Sequence, residues 1–317
     1  MKTKITMQMS SKLSIQECYE KYIKKCNIRN LSIKTIRVYK NHYKILSEFI
    51  DVNLPIADIT SDVIDDFIIF VKESHNCNDI SINSLLRSIR AFIYHSMDNG
   101  SISPRFTIHL LRTEKKIKPT YTTEELSLLL KKPNKDKCSF TNFRLWVFSN
   151  YLLGTGNRIS SPLDLQICDL DMDNSLIHIR NTKSRKSQLI PLSKTLESVL
   201  AEYLAIRGGE ATDYIFCNSL GEKGDLRSYQ DLLAKYNLEH GVTKTSAHLY
   251  RHTFAKQWIL NGGDIFRLQK ILGHSDLTVV KEYVNMFSND LAIDFDKFNP
   301  LDNLKINCSK KTIKMKR

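Results

Sequence analysis

Residues 248–283 read HLYRHTFAKQWILNGGDIFRLQKILGHSDLTVVKEY, and their spacing predicts three short helices separated by turns. Ser246 is the expected N-cap of the first helix, Leu249, Phe254 and Trp258 its core face, and Gly262-Gly263 its end. Ile265, Leu268, Ile271 and Leu272 form the apolar stripe of the second, which Gly273 closes. Ser275 or Asp276 caps the third, with Tyr283 about two turns along it. His248 and Arg251 are three residues apart and so share a helical face. His274 follows the glycine that stops the second helix, at a turn where a side chain can reach into a cleft. One segment thus brings together a guanidinium, two imidazoles and a phenol, a set suited to a phosphodiester.

Upstream, Phe143 to Leu153 form an apolar helix broken by Gly154-Thr155-Gly156. Arg158 is expected at the head of a further helix carrying Leu163 and Leu165, with Asp169 and Asp171 beyond it. A guanidinium suits a phosphate site because it stays charged and presents a planar fork of donors to two oxygens. Leu176 to Arg180 and Ser187 to Leu192 alternate as strands, and the basic turn NTKSRK joins them into a hairpin. Glu197 to Ile206 is expected to be helical, Tyr214 to Cys217 a short strand, and Leu226 to Tyr236 leads towards the His248 helix.

The combination of T-G-x-R, H-x-x-R, L-G-H-S and a tyrosine nine residues after that histidine resembles the tyrosine recombinases, the phage-integrase family. The resemblance implies that Tyr283 is a nucleophile on DNA, forming a 3′-phosphotyrosyl intermediate and releasing a 5′ hydroxyl. Arg158, in the family's first arginine box, and Arg251 would clamp the non-bridging oxygens, whose charge grows in the transition state. His248 would take the proton of Tyr283, since a phenol with a pKa of about 10 is a poor nucleophile at neutral pH. His274 would donate a hydrogen bond to the phosphate.

Lys183, eight residues before Pro191, is similar to the family's hairpin lysine and would protonate the departing oxygen. Arg180, Arg185 and Lys186 crowd the same turn, and Lys186 is the alternative. The family often has an acidic residue three after the first arginine. Ser161, followed by Pro162, stands there instead, which removes a partner for one of the cations. No cofactor or metal is expected: the covalent ester conserves the bond energy, so rejoining needs no ATP. The sequence offers no second carboxylate cluster and no Gly-rich phosphate loop.

The amino-terminal part follows a simpler pattern. Residues 1–13 are polar and expected to be a flexible lead, too short for an additional arm-binding domain. Ser14 to Glu17 spells a capping box before Ile15, Cys18, Tyr19 and Tyr22 at helical spacing. Further helices are expected from Ser32 to Ile50, after Thr60, and from Ser81 to Met97, ended by Asn99-Gly100. SINSLLRSIRAF, within the last of these, is similar to the family's core-binding domain, a SAM-like helical bundle. Arg37, Lys40 and Lys44 line one helical face, and Arg87 and Arg90 another; both are candidate DNA contacts, with a solvated basic face as the alternative.

The expected plan is therefore mainly α with a small β-sheet, in two domains. A core-binding domain spans 14–102, a charged linker 103–121, a catalytic α+β domain 122–290, and a tail 291–317 follows. Leu291, Ile293, Phe295 and Phe298 would anchor the tail on a neighbouring subunit, with docking on its own domain as the alternative.

Composition agrees with a polyanionic partner. The chain has 317 residues, 42% of them hydrophobic, and a formal charge of +13. No apolar run is long enough to span a membrane, and no secretory h-region begins the chain. Seven cysteines without a C-x-x-C pair suggest reduced thiols in a cytoplasmic protein. The expected partner is double-stranded DNA carrying specific recombination sites, on which the chain would assemble as a tetramer with accessory directionality factors. Rival readings are a type IB topoisomerase and an inactive DNA-binding relic of the same fold.

Overall fold

Side-chain caps set where most of the helices begin. In a computed structural model that describes residues 13–114, 119–180 and 187–273, the chain divides into two compact units, Met1–Lys116 and Ile117–Arg317. In the first unit, α1 (Ile15–Ile28) starts at the predicted capping box, with Glu17 N–H donating to Ser14 Oγ and Ser14 N–H to Glu17 Oε2. Ser32 caps α2 (Ile33–Phe49) and Thr60 caps α3 (Ser61–Ser74). The fourth helix, α4 (Asp79–Asp98), begins before the expected Ser81, because Asn78 Oδ1 accepts the Ser81 N–H at 2.9 Å. The core of this unit is rich in rings: Tyr19 stacks on Tyr43 with centroids 3.6 Å apart, and Phe92 meets Tyr19 edge-on.

The chain after α4 stays on the same unit for some distance. Ile102 and Ile108 are buried, and Asn83 exchanges two hydrogen bonds with the Leu111 backbone, at 2.9 and 2.8 Å.

In the second unit, α5 (Thr123–Leu129) opens with a second capping box at Thr122 and Glu125. The central element is α6 (Phe140–Thr155), whose Val147, Phe148, Tyr151 and Leu152 are fully enclosed. It is apolar on all sides because other helices surround it: α7 (Lys194–Arg207), α8 (Leu226–Glu239) and α9 (His248–Leu260) all pack on it. Strands β1 (Leu170–Asp171), β2 (Leu176–Ile179) and β3 (Gln188–Pro191) form an antiparallel sheet in sequence order. The register sets Ile177 opposite Ile190, both facing the core. The last described element is α10 (Ile265–Leu272), capped at its start by Asp264.

The architecture is mainly helical with one small sheet, as expected. Three local expectations are corrected. Arg158 does not open an α-helix: the chain after it forms two 3-10 turns, Pro162–Asp164 and Ile167–Asp169. Leu163 and Leu165 are both buried, a spacing of two that one helical face cannot satisfy. Tyr214 to Cys217 is not a strand of the sheet. It is held by isolated bridges from Tyr214 to Gln166 and from Cys217 to Lys223, and by the Ile215 N–H bond to Leu165 O. Ser246 does not cap α9; Ala247 occupies that position in a helical conformation without a side-chain bond. Lys183, His274, Tyr283, the third helix of the 248–283 stretch and the tail 291–317 lie outside the described residues.

Candidate functional site

Two helices of the second unit end at the same guanidinium. Helix α6 closes at Gly156 and α10 at Gly273, each glycine in the left-handed region with φ of 63°. Arg251, on the first turn of α9, donates from Nη1 to Gly156 O at 2.9 Å and from Nη2 to Leu272 O at 2.8 Å. Both acceptors are carbonyls at helix C-termini, where the aligned peptide dipoles leave partial negative charge. A cation that is only 4% exposed thus has electrostatic support from the backbone itself.

The loop from Gly156 to Arg158 is held from beneath. Asn157 is buried, and its Nδ2 donates to the hydroxyl of the enclosed Tyr151 at 2.8 Å. Arg158 then emerges half-buried, and its carbonyl accepts the Ser161 N–H at 2.9 Å, closing the turn. Three sequence motifs therefore meet at Arg251: T-G-x-R through Gly156, H-x-x-R through its own helix, and L-G-H through Leu272. His248 is exposed at the start of α9, one turn before Arg251.

Helix α9 is fixed by a buried polar network. The Tyr250 hydroxyl lies 3.2 Å from both Ser149 Oγ and Asn237 Oδ1. Asn237 Nδ2 donates to the Tyr121 hydroxyl, and Thr253 Oγ1 accepts the Tyr121 N–H. Burial holds the Tyr250 phenol well above its ordinary pKa, and neighbouring Tyr121 adds to the shift. Tyr250 is a structural phenol here.

The hairpin meets α10 through Gln188, a residue that sequence pattern did not single out. Its Nε2 donates to Lys270 O at 2.5 Å and to Ile271 O at 2.8 Å. At the other arm, Arg180 pairs with the buried carboxylate of Asp169 at 2.5 Å and donates to Cys168 Sγ, which ties the end of β2 to the preceding 3-10 turn. Arg180 thus has a structural engagement, whereas Lys183 and Lys186 fall outside the described residues. Among the described residues, no group of three or more His, Cys, Asp or Glu side chains could hold a metal ion. No helix of the described residues is long and apolar enough to cross a membrane.

In the first unit, Arg37, Lys40 and Lys44 are exposed along α2, and Arg87 is exposed on α4. Arg90 is half-buried, with its guanidinium 5.9 Å from the ring centre of Tyr94. His42 of α2 and Ser88 of α4 hydrogen-bond at 2.7 Å, so the two basic stretches run past one helix contact. Burial lowers the pKa of His42, which favours the neutral imidazole at that contact.

Comparison with known proteins bears on both units. The profile of the "Phage integrase family" matches residues 120–289, and that of the "Phage integrase SAM-like domain" matches residues 14–108. A tyrosine recombinase XerC from Thermodesulfovibrio yellowstonii is 26% identical over 286 residues, covering 85% of this chain and 91% of the relative. Among solved structures, the Tn1549 transposon integrase in complex with circular intermediate DNA superposes with a TM-score of 0.69. It is 23% identical, and the match covers 86% of this chain and 95% of that one. A lambda integrase tetramer bound to a Holliday junction gives a TM-score of 0.67 at 16% identity, covering 86% and 78% of the two chains. The two structural matches establish a shared fold.

Proposed function

The chain belongs to the phage integrase family, the tyrosine recombinases, and from that membership we propose a site-specific DNA strand transferase that acts through a 3′-phosphotyrosyl intermediate. Tyr283 attacks the scissile phosphate and forms the ester as the 5′ oxygen departs. Arg158 and Arg251 neutralise the two non-bridging oxygens, and His274 donates a hydrogen bond to one of them. His248 removes the phenol proton, and Lys183 supplies a proton to the leaving oxygen. A 5′ hydroxyl from another strand then attacks the ester and releases Tyr283, so no net phosphodiester energy is lost.

The observation that carries this reading is the Arg251 junction. A fully ionised side chain is buried where the segment of Arg158 and the segment leading to His274 both end, and its fixed charge needs little reorganisation when charge develops on a phosphate. The basic faces of α2 and α4 suit the phosphate backbone of a duplex, with the exposed Arg37, Lys40, Lys44 and Arg87 and the half-buried Arg90 as contacts. The lambda integrase tetramer on its junction supports assembly of four copies on DNA here as well.

The reading is tested with a pool of labelled nicked duplexes of randomised sequence. Denaturant-resistant protein–DNA adducts are captured, and the recovered DNA defines the preferred site. Adducts that exchange strands between two such sites support recombination. Relaxation of supercoils without exchange would favour the topoisomerase reading, and absence of any adduct would favour an inactive DNA-binding relic.

A further inference from the structure

We infer that Gln188 is a positioning residue, which locks the hairpin to the C-terminal end of α10 and so sets the general-acid side of the site against its phosphate-binding side. This rests on the function proposed above. The last four carbonyls of a helix have no partner within it. In α10 these are Gln269, Lys270, Ile271 and Leu272, and all four are satisfied. The Gly273 N–H serves Gln269 O and Lys270 O, Gln188 Nε2 serves Lys270 O and Ile271 O, and Arg251 serves Leu272 O.

Two partners thus come from other elements, one from the hairpin and one from α9. Among the described residues, Leu268 and Leu272 of α10 bury against Ala255, with Phe254, Trp258 and Ile259 of α9 packed around them, in a cluster separate from the main core. Polar ties from Gln188 and Arg251 add to that packing at the C-terminal end of the helix.

The residue type fits the task. A primary amide presents two N–H donors from one nitrogen, and here they reach two successive carbonyls. Asn would be a methylene too short, and Glu would set a carboxylate against two carbonyl oxygens. The glycine at 273 belongs to the same arrangement, since a Cβ there would come within 3.0 Å of Gln188 Oε1. Sequence order supplies the link to chemistry. Lys183 lies five residues before Gln188 in the turn that β3 completes, and His274 is the residue after Gly273.

The test uses full-length protein and the duplex recovered by adduct capture, made with either an ordinary or a 5′-bridging sulfur linkage at the cleavage point. Sulfur leaves with little protonation, so it reports on the general-acid side. Gln188→Met keeps the length and removes both donors. It should cleave ordinary DNA about tenfold more slowly, cleave the sulfur substrate within about twofold of wild type, and bind the duplex unchanged. Gln188→Glu should be slower than Gln188→Met at neutral pH and gain on it towards about pH 5, where a protonated carboxyl regains a donor.

Amide hydrogen exchange at Ile271 to Gly273, measured without DNA, should quicken in Gln188→Met. Wild-type cleavage rates, or equal slowing on both substrates, would overturn the proposal. Failure of wild-type protein to yield any captured adduct would overturn the function reading instead. The exchange measurement would still decide whether Gln188 ties the hairpin to α10, and unchanged exchange would refute that tie.

Discussion

The ends of α6 and α10 are alike in conformation and unlike in how they are held. Each stops at a glycine with φ of 63°, and each turns a carbonyl to Arg251. A Cβ on Gly156 would lie 2.4 Å from Phe254 and 2.9 Å from Leu272, whereas one on Gly273 would meet, among the described residues, only the flexible side chain of Gln188. The first end is set by close packing against Phe254 and Leu272. The second is tied by hydrogen bonds from the Gln188 amide. In the proposed strand exchange the first end would offer fixed charge to the phosphate, and the second a less closely packed arm on the leaving side.

The largest effect should come from breaking the shared cation. Arg251→Met leaves two buried helix-end carbonyls without their charged donor and should cost about 3–5 kcal/mol in urea unfolding. A loss below about 1 kcal/mol would mean the junction contributes little. Gly156→Ala follows, at about 3 kcal/mol, because left-handed strain adds to an overlap that Phe254 and Leu272 must relieve. Gly273→Ala should cost about 1 kcal/mol, close to Gly262→Ala, whose added methyl meets nothing within 4 Å. Equal losses at positions 156 and 273 would erase the distinction between the two ends. Tyr250→Phe should cost a similar amount to Gly273→Ala, about 1 kcal/mol from lost hydrogen bonds, with adduct formation retained; loss of the adduct in a folded variant would move the nucleophile.

What the sequence disclosed follows from how local each signal is. Ser14 with Glu17, and Thr122 with Glu125, specify helix starts within four residues, and the Ser32 and Thr60 caps are equally local. Gly273 marked a helix end for the same reason, and the Gly154-Thr155-Gly156 run marked another, although α6 continues through Thr155 before Gly156 stops it. The Arg158 environment was harder, because Leu163, Leu165 and Ile167 are spaced by two, and Leu165 and Ile167 bond to residues far ahead, Ile215 and Asp213. Gln188 was illegible: one glutamine in a strand carries no pattern, and its acceptors lie 82 and 83 residues away. The motif residues stood out by spacing, but that two helices end on Arg251 is visible only in three dimensions.

Tyr283 carries the proposed reaction. Wild-type protein and Tyr283→Phe are each incubated with the end-labelled nicked duplex, and the products are run on a denaturing gel. Removing one oxygen should leave folding and site binding nearly unchanged, since affinity comes mainly from Lys and Arg along the duplex. The predicted result is a covalent protein–DNA band for wild type, mapping to Tyr283, and none for the variant at equal occupancy of the DNA. A covalent band that persists in Tyr283→Phe would contradict the assignment, because another side chain would then be forming the ester.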